Sequence, residues 1–292
     1  MQINTLDVIL CSYNAQNTIE QCIVSILSQT FSSFKLYIFD DCSTDDTVKI
    51  IKNIKDKRVL LVSADKNVGT YSGKNFLLRN FCSASFIALH DADDYSTNMR
   101  FEKQIQYLNE HDSAACVGSA IREFWDPEGS PNRHLPHTIS NAIIENNSRI
   151  NVYNKLLTNA NLKELALYLQ HDEYYKEYIR FKIAMNGSVM FRHDILKVLG
   201  GWDASTRIAA VSDLFIRMLA NHEIHNLDDV LYNRRFHKES LTASESYGID
   251  SYARMMYNKS RYATVEYCLD KINITCNMSY PKFKYEIISC VE

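Results

Sequence analysis

Apolar positions in the first hundred residues alternate between short runs and helical stripes. Leu6–Leu10 reads as a buried strand and runs into a polar turn, Cys11-Ser12-Tyr13-Asn14. Ile19, Cys22, Ile23, Ile26 and Leu27 then recur at i, i+3, i+4, i+7 and i+8, the stripe of a helix lying on a sheet. Thr18 and Gln21 stand before it at the spacing of a capping box. A second strand, Phe34–Phe39, ends in Asp40-Asp41-Cys42-Ser43-Thr44-Asp45-Asp46-Thr47. Ser43 or Thr44 suits the cap of a helix that buries Val48, Ile51 and Ile54. A third strand is expected over Val59–Ser63, and Asn67-Val68-Gly69 leads into a helix with Phe76, Leu77 and Phe81. This rhythm predicts a parallel sheet with right-handed crossovers.

The next strand carries the chemistry. Phe86, Ile87, Ala88 and Leu89 run into His90 and three carboxylates, Asp91, Asp93 and Asp94. Acids at a strand's carboxyl end lie where open α/β sheets bind ligands. Carboxylates this close repel unless a cation or proton sits between them, and hard oxygen ligands suit Mg²⁺ or Mn²⁺ with substrate phosphates completing the shell. The plain alternative is an acidic loop capping the following helix, whose buried side is Phe101, Ile105 and Leu108. Glycines and amides at the start of the preceding helix suit approach to a phosphate or sugar. A plain turn and cap would look the same there.

Downstream, a strand is expected over Ala114–Ile121, then an exposed loop from Trp125 to His137. Residues 151–182 read as helical, with Leu162, Leu165 and Leu169. Ser188–Phe191 reads as a strand, and Ile195–Leu199 as a short helix ended by Gly200-Gly201. Ala209–Ala220 reads as a helix bearing Asp213 and Arg217. Residues 246–292 read as a helix-rich extension.

Composition removes several classes. A net charge of -3 gives no reason to expect nucleic acid, and no apolar run reaches membrane-spanning length. No secretory signal is visible at the amino end. The 8 cysteines form no CxxC pair and read as reduced core thiols, which points to the cytoplasm. Neither GxxxxGK[ST] nor GxGxxG occurs, so P-loop phosphoryl transfer and dinucleotide oxidoreduction are disfavoured.

Taken in order, Ser12-Tyr13-Asn14, Ser25–Gln29, Asp40–Thr47, Asn67-Val68-Gly69 with Lys74-Asn75, and Asp91-Ala92-Asp93-Asp94 resemble the family 2 glycosyltransferases of bacterial surface-polysaccharide type. A second block, Ser188–Arg192, Gly200–Asp203 and Asp213–Arg217, is similar to the acceptor side of that family, and Ser240-Leu241-Thr242 also fits its bacterial members. The resemblance implies an α/β GT-A fold, a Rossmann-like mixed sheet flanked by helices. Residues 1–118 would form the donor half, 119–245 the acceptor half and 246–292 the helical extension. It further implies an inverting, metal-dependent transfer from a UDP-sugar to a glycan or glycolipid acceptor, on the inner face of the membrane.

By the same resemblance Ser12, Tyr13, Asn14, Asp41, Asn67, Gly69, Lys74 and Asp91 bind the nucleotide, with Asp41 on the uracil. Asp91 and Asp93 hold Mn²⁺ or Mg²⁺, with His237 reaching the metal or diphosphate from the C-terminal side; a merely exposed His237 is the alternative. Asp94 is either a further ligand or a helix cap. At the position where the family usually carries its catalytic base this chain has Val211. Asp213 is therefore the base or a structural partner of Arg217, with Asp203 next in line. Trp202 suits a sugar-stacking face or a core anchor. The departure at Val211 also admits a binding-only relative without transfer activity. Asp91-Ala92-Asp93 distantly imitates an aspartate-nucleophile phosphohydrolase. Homodimerisation or fusion to further modules is compatible with the chain.

Overall fold

Four apolar runs form the parallel centre of one sheet: β1 (Leu6–Ser12), β2 (Phe34–Asp40), β3 (Val59–Ala64) and β4 (Phe86–Asp91), in the order β3-β2-β1-β4. Helices α1 (Ile19–Leu27), α2 (Thr47–Asn53) and α3 (Thr70–Asn80) make the crossovers. This computed structural model describes residues 6–125, 143–145, 148–169, 183–208, 210–237 and 280–290, with Tyr252, Val265, Cys268 and Leu269. The loop expected beyond Trp125, the continuation of the 151–182 helix past 169, and Ser240–Thr242 lie outside those residues.

Strands alternate faces, so β1 sends Leu6, Val8 and Leu10 to one core and Ile9 to the other. The first core is closed by α1 through Ile19, Cys22, Ile23 and Ile26, and by Phe101, Ile105 and Leu108 of α4 (Arg100–Glu110). The second is closed by α3, α6 (His193–Val198) and α7 (Ala210–Leu219). Between β4 and α4 lies the two-residue strand β5 (Tyr95–Ser96).

The sheet then turns mixed. β6 (Ala114–Trp125) supports an antiparallel branch of β7 (Ile143–Glu145) and β8 (Ser148–Asn151). β10 (Met190–Arg192) runs antiparallel between β4 and β6, and β11 (Glu223–Phe236) pairs parallel with β6. β9 (Leu156–Leu157) and β5 both add to β11. A last strand, β12 (Tyr285–Ser289), lies antiparallel on β3, where the sequence reading expects helix. Its partner β3 would otherwise be an open sheet edge.

Several local expectations yield to tertiary contacts. Thr18 makes no cap bond; its hydroxyl donates to Ala92 O at 3.0 Å, while Gln21 accepts from Arg235. Ser43 likewise does not cap α2, because its hydroxyl donates to Asp40. Residues 151–157 are irregular or strand rather than helical. α5 (Asn159–Leu169) begins after Thr158, whose hydroxyl accepts the Ala160 amide at 3.3 Å while Asn161 accepts the Thr158 amide at 2.9 Å. Ser188 belongs to a 3-10 turn, Asn186–Ser188, and the strand starts at Met190. α6 ends as expected at Gly200 and Gly201, with φ of 75° and 67°.

Gly73 faces Phe39 so closely that a Cβ there would lie 2.5 Å from the ring. Phe39 is fully buried and packs edge-on to Phe283 at 5.5 Å, so it has nowhere to move. Gly73→Ala is therefore expected to destabilise by about 1–3 kcal/mol, despite a helix-propensity gain of about 1 kcal/mol. Urea denaturation measures the balance.

Candidate donor site

The strand order reverses direction between β1 and β4, and a crevice outside the carboxyl ends is the expected ligand position. The register brings the relevant residues there together. Cys11 pairs with Asp91 across β1 and β4, and Ser12 pairs with Asp40 across β1 and β2. Three loops consequently leave the sheet side by side.

The first two loops hold each other. Asn14 adopts a positive φ of 49°; its amide donates to Ser43 Oγ at 2.9 Å and its side-chain oxygen accepts the Thr44 amide at 2.8 Å. Buried Ser12 reaches Asp40 at 3.4 Å, and Tyr13 stays half exposed. Asp41 accepts the Val68 amide at 2.6 Å on one oxygen and the Gly69 amide at 2.9 Å on the other. Burial pushes the Asp41 carboxyl up, and these two amides oppose that. Gly69 can offer its amide because it sits at φ 90°, which a side chain would resist. Asn67 donates to Asp41 O at 3.2 Å.

The third loop is the acidic one. Lys74, buried on α3, brings Nζ to 3.8 Å from Asp91 Oδ1, and Asn186 Nδ2 approaches the same oxygen at 3.4 Å. The Asp91 amide donates to Tyr232 Oη at 3.1 Å. Burial raises the Asp91 carboxyl; Lys74 pulls it down and Asp93 pushes it up. Asp93 Oδ2 lies 3.0 Å from Nε2 of His237. Asp94 is neither an open ligand nor a cap: it is buried and accepts the Arg235 amide at 2.8 Å, while α4 starts after Met99. Burial, then Asp93 and Asp91, hold its carboxyl well above the usual range.

A buried polar layer supports this loop from below. Arg100, fully buried, donates to Leu89 O at 2.9 Å and to Ser96 Oγ at 3.1 Å, and stacks on Tyr232 at 5.1 Å. Ser96 Oγ lies 3.0 Å from His90 Nε2, and His90 Nδ1 lies 2.9 Å from Asp91 O. A carbonyl only accepts, which assigns the proton to Nδ1 and leaves Nε2 to accept from Ser96. Desolvation, helped by Arg100, lowers His90 to about 3, so it is neutral at physiological pH. Desolvation also lowers Arg100 to about 10. Sequence reasoning missed Arg100, Tyr232 and Asn186. Only an Arg and a Tyr on otherwise core-facing positions hinted at buried partners.

The other expected residues have structural partners of their own. Asp213 Oδ2 accepts from Arg217 Nε at 2.8 Å, and Arg217 also donates to Leu199 O and to Gly201 O at 2.8 Å. This ion pair clamps the Gly200-Gly201 turn. Asp203 Oδ1 accepts from the amide and hydroxyl of Ser205. Trp202 is fully buried, edge-on to Phe191, with its backbone gripped by Asn75 at 2.7 and 3.0 Å. It is a core anchor with no exposed face for a sugar.

A divalent cation fits the donor set in one form only. Asp91 and Asp93 keep 29% and 32% of their side chains exposed and offer hard oxygens. Among the described residues no three His, Cys, Asp or Glu side chains already converge on a cation position. Two partly exposed carboxylates suit Mg²⁺ or Mn²⁺, which keep several of their ligands as water or phosphate.

Residues 7–199 match the description Glycosyl transferase family 2. The chain belongs to that family. A UDP-glucose:α-D-GlcNAc-diphosphoundecaprenol β-1,3-glucosyltransferase of Escherichia coli is 34% identical over 103 residues, 35% of this chain and 41% of the relative. An uncharacterised glycosyltransferase of Haemophilus influenzae is 34% identical over 118 residues, 40% of this chain and 36% of the relative. The match thus spans less than half of either relative's length. S. aureus TarS 1-349, solved with UDP-GlcNAc, superposes with a TM-score of 0.60 at 17% identity over 91% of this chain and 70% of that one. A Pyrobaculum calidifontis mannosyltransferase, solved with GDP-Man and Mn²⁺, gives 0.56 at 14% identity, covering 94% and 72%. These likenesses identify the helix-flanked mixed sheet of the family 2 member as the GT-A fold.

Gly187 wedges between the elements of the site. A Cβ there would lie 2.1 Å from Tyr232 Oη and 2.9 Å from Asp91 Oδ2. Gly187→Ala is expected to cost about 1–3 kcal/mol in chemical denaturation, because both neighbours are tied into the buried network.

Proposed function

We propose that the chain transfers a sugar from a UDP-sugar to a hydroxyl of a glycan or glycolipid acceptor, with inversion, in bacterial surface-polysaccharide synthesis. The observation that carries this reading is the β1–β2–β4 register, which sets the loop held by Asp41 beside partly exposed Asp91 and Asp93. The relatives point the same way. The E. coli glucosyltransferase is named for UDP-glucose and a diphosphoundecaprenol-linked acceptor, and the two solved structures carry nucleotide sugars.

In this reading Ser12, Tyr13, Asn14, Asp41, Asn67 and Gly69 hold the nucleoside, with the Asp41 carboxylate toward the uracil N–H. Asp91, Asp93 and His237 hold the cation, and Lys74 faces the diphosphate. Bound Mn²⁺ or Mg²⁺ supplies positive charge where the leaving diphosphate gathers negative charge. Lys74 stays fixed at 3.8 Å from Asp91, so it needs no rearrangement as that charge develops. The acceptor oxygen bonds to the anomeric carbon, the bond to the diphosphate breaks, and the acceptor's proton passes to a base.

Asp213 is the proposed base, with Arg217 fixing its orientation, and Asp203 is next in line. The same ion pair favours a second reading, a chain that binds a nucleotide sugar without transferring it. Val211 is buried where the family usually has an acid, and Asp213 already clamps a turn. Among the described residues no helix is long and apolar enough to cross a membrane.

Thermal shift with UDP, GDP, dTDP and CDP, each with Mn²⁺ or with EDTA, tests the donor site, since a ligand of the folded state raises Tm by mass action. UDP with Mn²⁺ is expected to give the largest shift. Asp93→Asn is expected to weaken metal-dependent UDP binding by about tenfold or more. No shift with any nucleotide would sink the donor reading and direct attention to phosphohydrolase assays. Asp213→Asn is expected to keep UDP binding and lower transfer by about 100-fold or more. Tight UDP binding by the unmutated protein with no transfer to any acceptor would favour the binding-only reading.

A further inference from the structure

The loop between Gly201 and α7 reaches back to the nucleoside end of the site through one exposed cation. Arg207 donates from Nη1 to Asn67 Oδ1 at 3.3 Å. Asn67 in turn donates to the carbonyl of Asp41 at 3.2 Å. The guanidinium also lies close enough to Asp41 to stabilise its ionised form. Both Asp41 oxygens are already held from behind by the Val68 and Gly69 amides, so the carboxylate is fixed in place. Its positive neighbour is supplied from a loop about 140 positions away in sequence.

We infer that Arg207 is a nucleoside-binding residue that donates to a base carbonyl beside the ring N–H accepted by Asp41. This deepens the donor reading above and rests on it. The chemistry follows from the groups present. Asp41 only accepts and Arg207 only donates, so the pair reads a ring N–H next to a carbonyl, the edge presented by uracil. The planar fork of an arginine keeps N–H groups to spare after one bond to Asn67. Lysine, with a compact point charge, would reproduce the charge and lose the fork.

The local backbone explains how a surface residue keeps this position. Trp202 is buried and bound to Asn75 on α3. The Asp203–Ser205 turn follows, and Thr206 closes a second turn in which the Ile208 amide donates to Thr206 Oγ1 at 3.2 Å while the Thr206 hydroxyl donates to Ile208 O at 3.0 Å. Ile208 is buried, so Arg207 is presented between two anchors. Because Arg207 is itself exposed, its removal tests binding with little effect on the fold.

The experiment is calorimetric titration of UDP with Mn²⁺ into the full chain, its Arg207→Ala variant and its Arg207→Lys variant, with melting curves of each free protein. Arg207→Ala is expected to weaken UDP by about tenfold, the scale of one hydrogen bond from a charged donor, with the free-protein Tm unchanged. Arg207→Lys is expected to recover part of the loss. In transfer assays the Arg207→Ala effect is expected in KM for the donor, with kcat within about twofold, the mark of an interaction made equally in the ground and transition states. Equal UDP affinity in the unmutated protein and Arg207→Ala would overturn this inference alone. An unmutated protein that binds none of UDP, GDP, dTDP or CDP would overturn it together with the donor reading.

Discussion

Everything at this site depends on keeping negative charge at the end of a buried strand. Carboxylates removed from water are costly unless paired or hydrogen-bonded. β4 delivers three of them within four positions, and the protein treats each differently. Asp94 is buried and tied to the backbone of β11. Asp91 is steadied by Lys74, Asn186 and the Tyr232 hydroxyl. Asp93 faces His237 at the surface. Beneath them Arg100, which donates to Gln104, Ser96 and the Leu89 carbonyl, places a cation in the same low-dielectric layer.

This arrangement explains why the elements after β6 pack where they do. β11 supplies Tyr232 under Asp91 and Arg235 around Asp93 and Asp94, and the Asn186–Ser188 turn closes the remaining side. The antiparallel β10 brings that turn to β4, so the mixed half of the sheet serves as a brace for the parallel half. Polar networks of this kind are rigid only when nearly complete. Ser96 illustrates the point, since its hydroxyl accepts a hydrogen bond from Arg100 and donates one to His90.

The parallel half was legible because periodicity and burial agree there. Leu6, Val8, Leu10, Ile19, Cys22, Ile23 and Ile26 all reach the core that their spacing implied. Helix starts were less legible, since Thr18, Gln21 and Ser43 spend their side chains on distant groups instead of local amides. The start of α5 was written in Thr158 and Asn161, yet it was hidden inside a stretch of apparently continuous helical pattern. At the site, the strand-end acids announced themselves, while their supporting layer did not. Arg100 is called for by residues on β4, β5 and the segment before β10, and no window of sequence contains them all. Asp213 shows the opposite limit, because an acid four residues before an arginine reads equally as chemistry or as a clamp.

The strand that covers β3 has a consequence for how the molecule is made. β1 to β4 leave the ribosome early, but the partner of β3 is translated last among the described elements, with Lys284 donating to Asp65 across 219 positions. Domains tend to fold as their segments emerge during synthesis. Here the parallel half of the sheet must wait, with β3 and the rings of Phe39 and Phe76 uncovered, until Phe283 and Tyr285 arrive. During translation this half therefore carries a sticky flank that only its own late sequence can close.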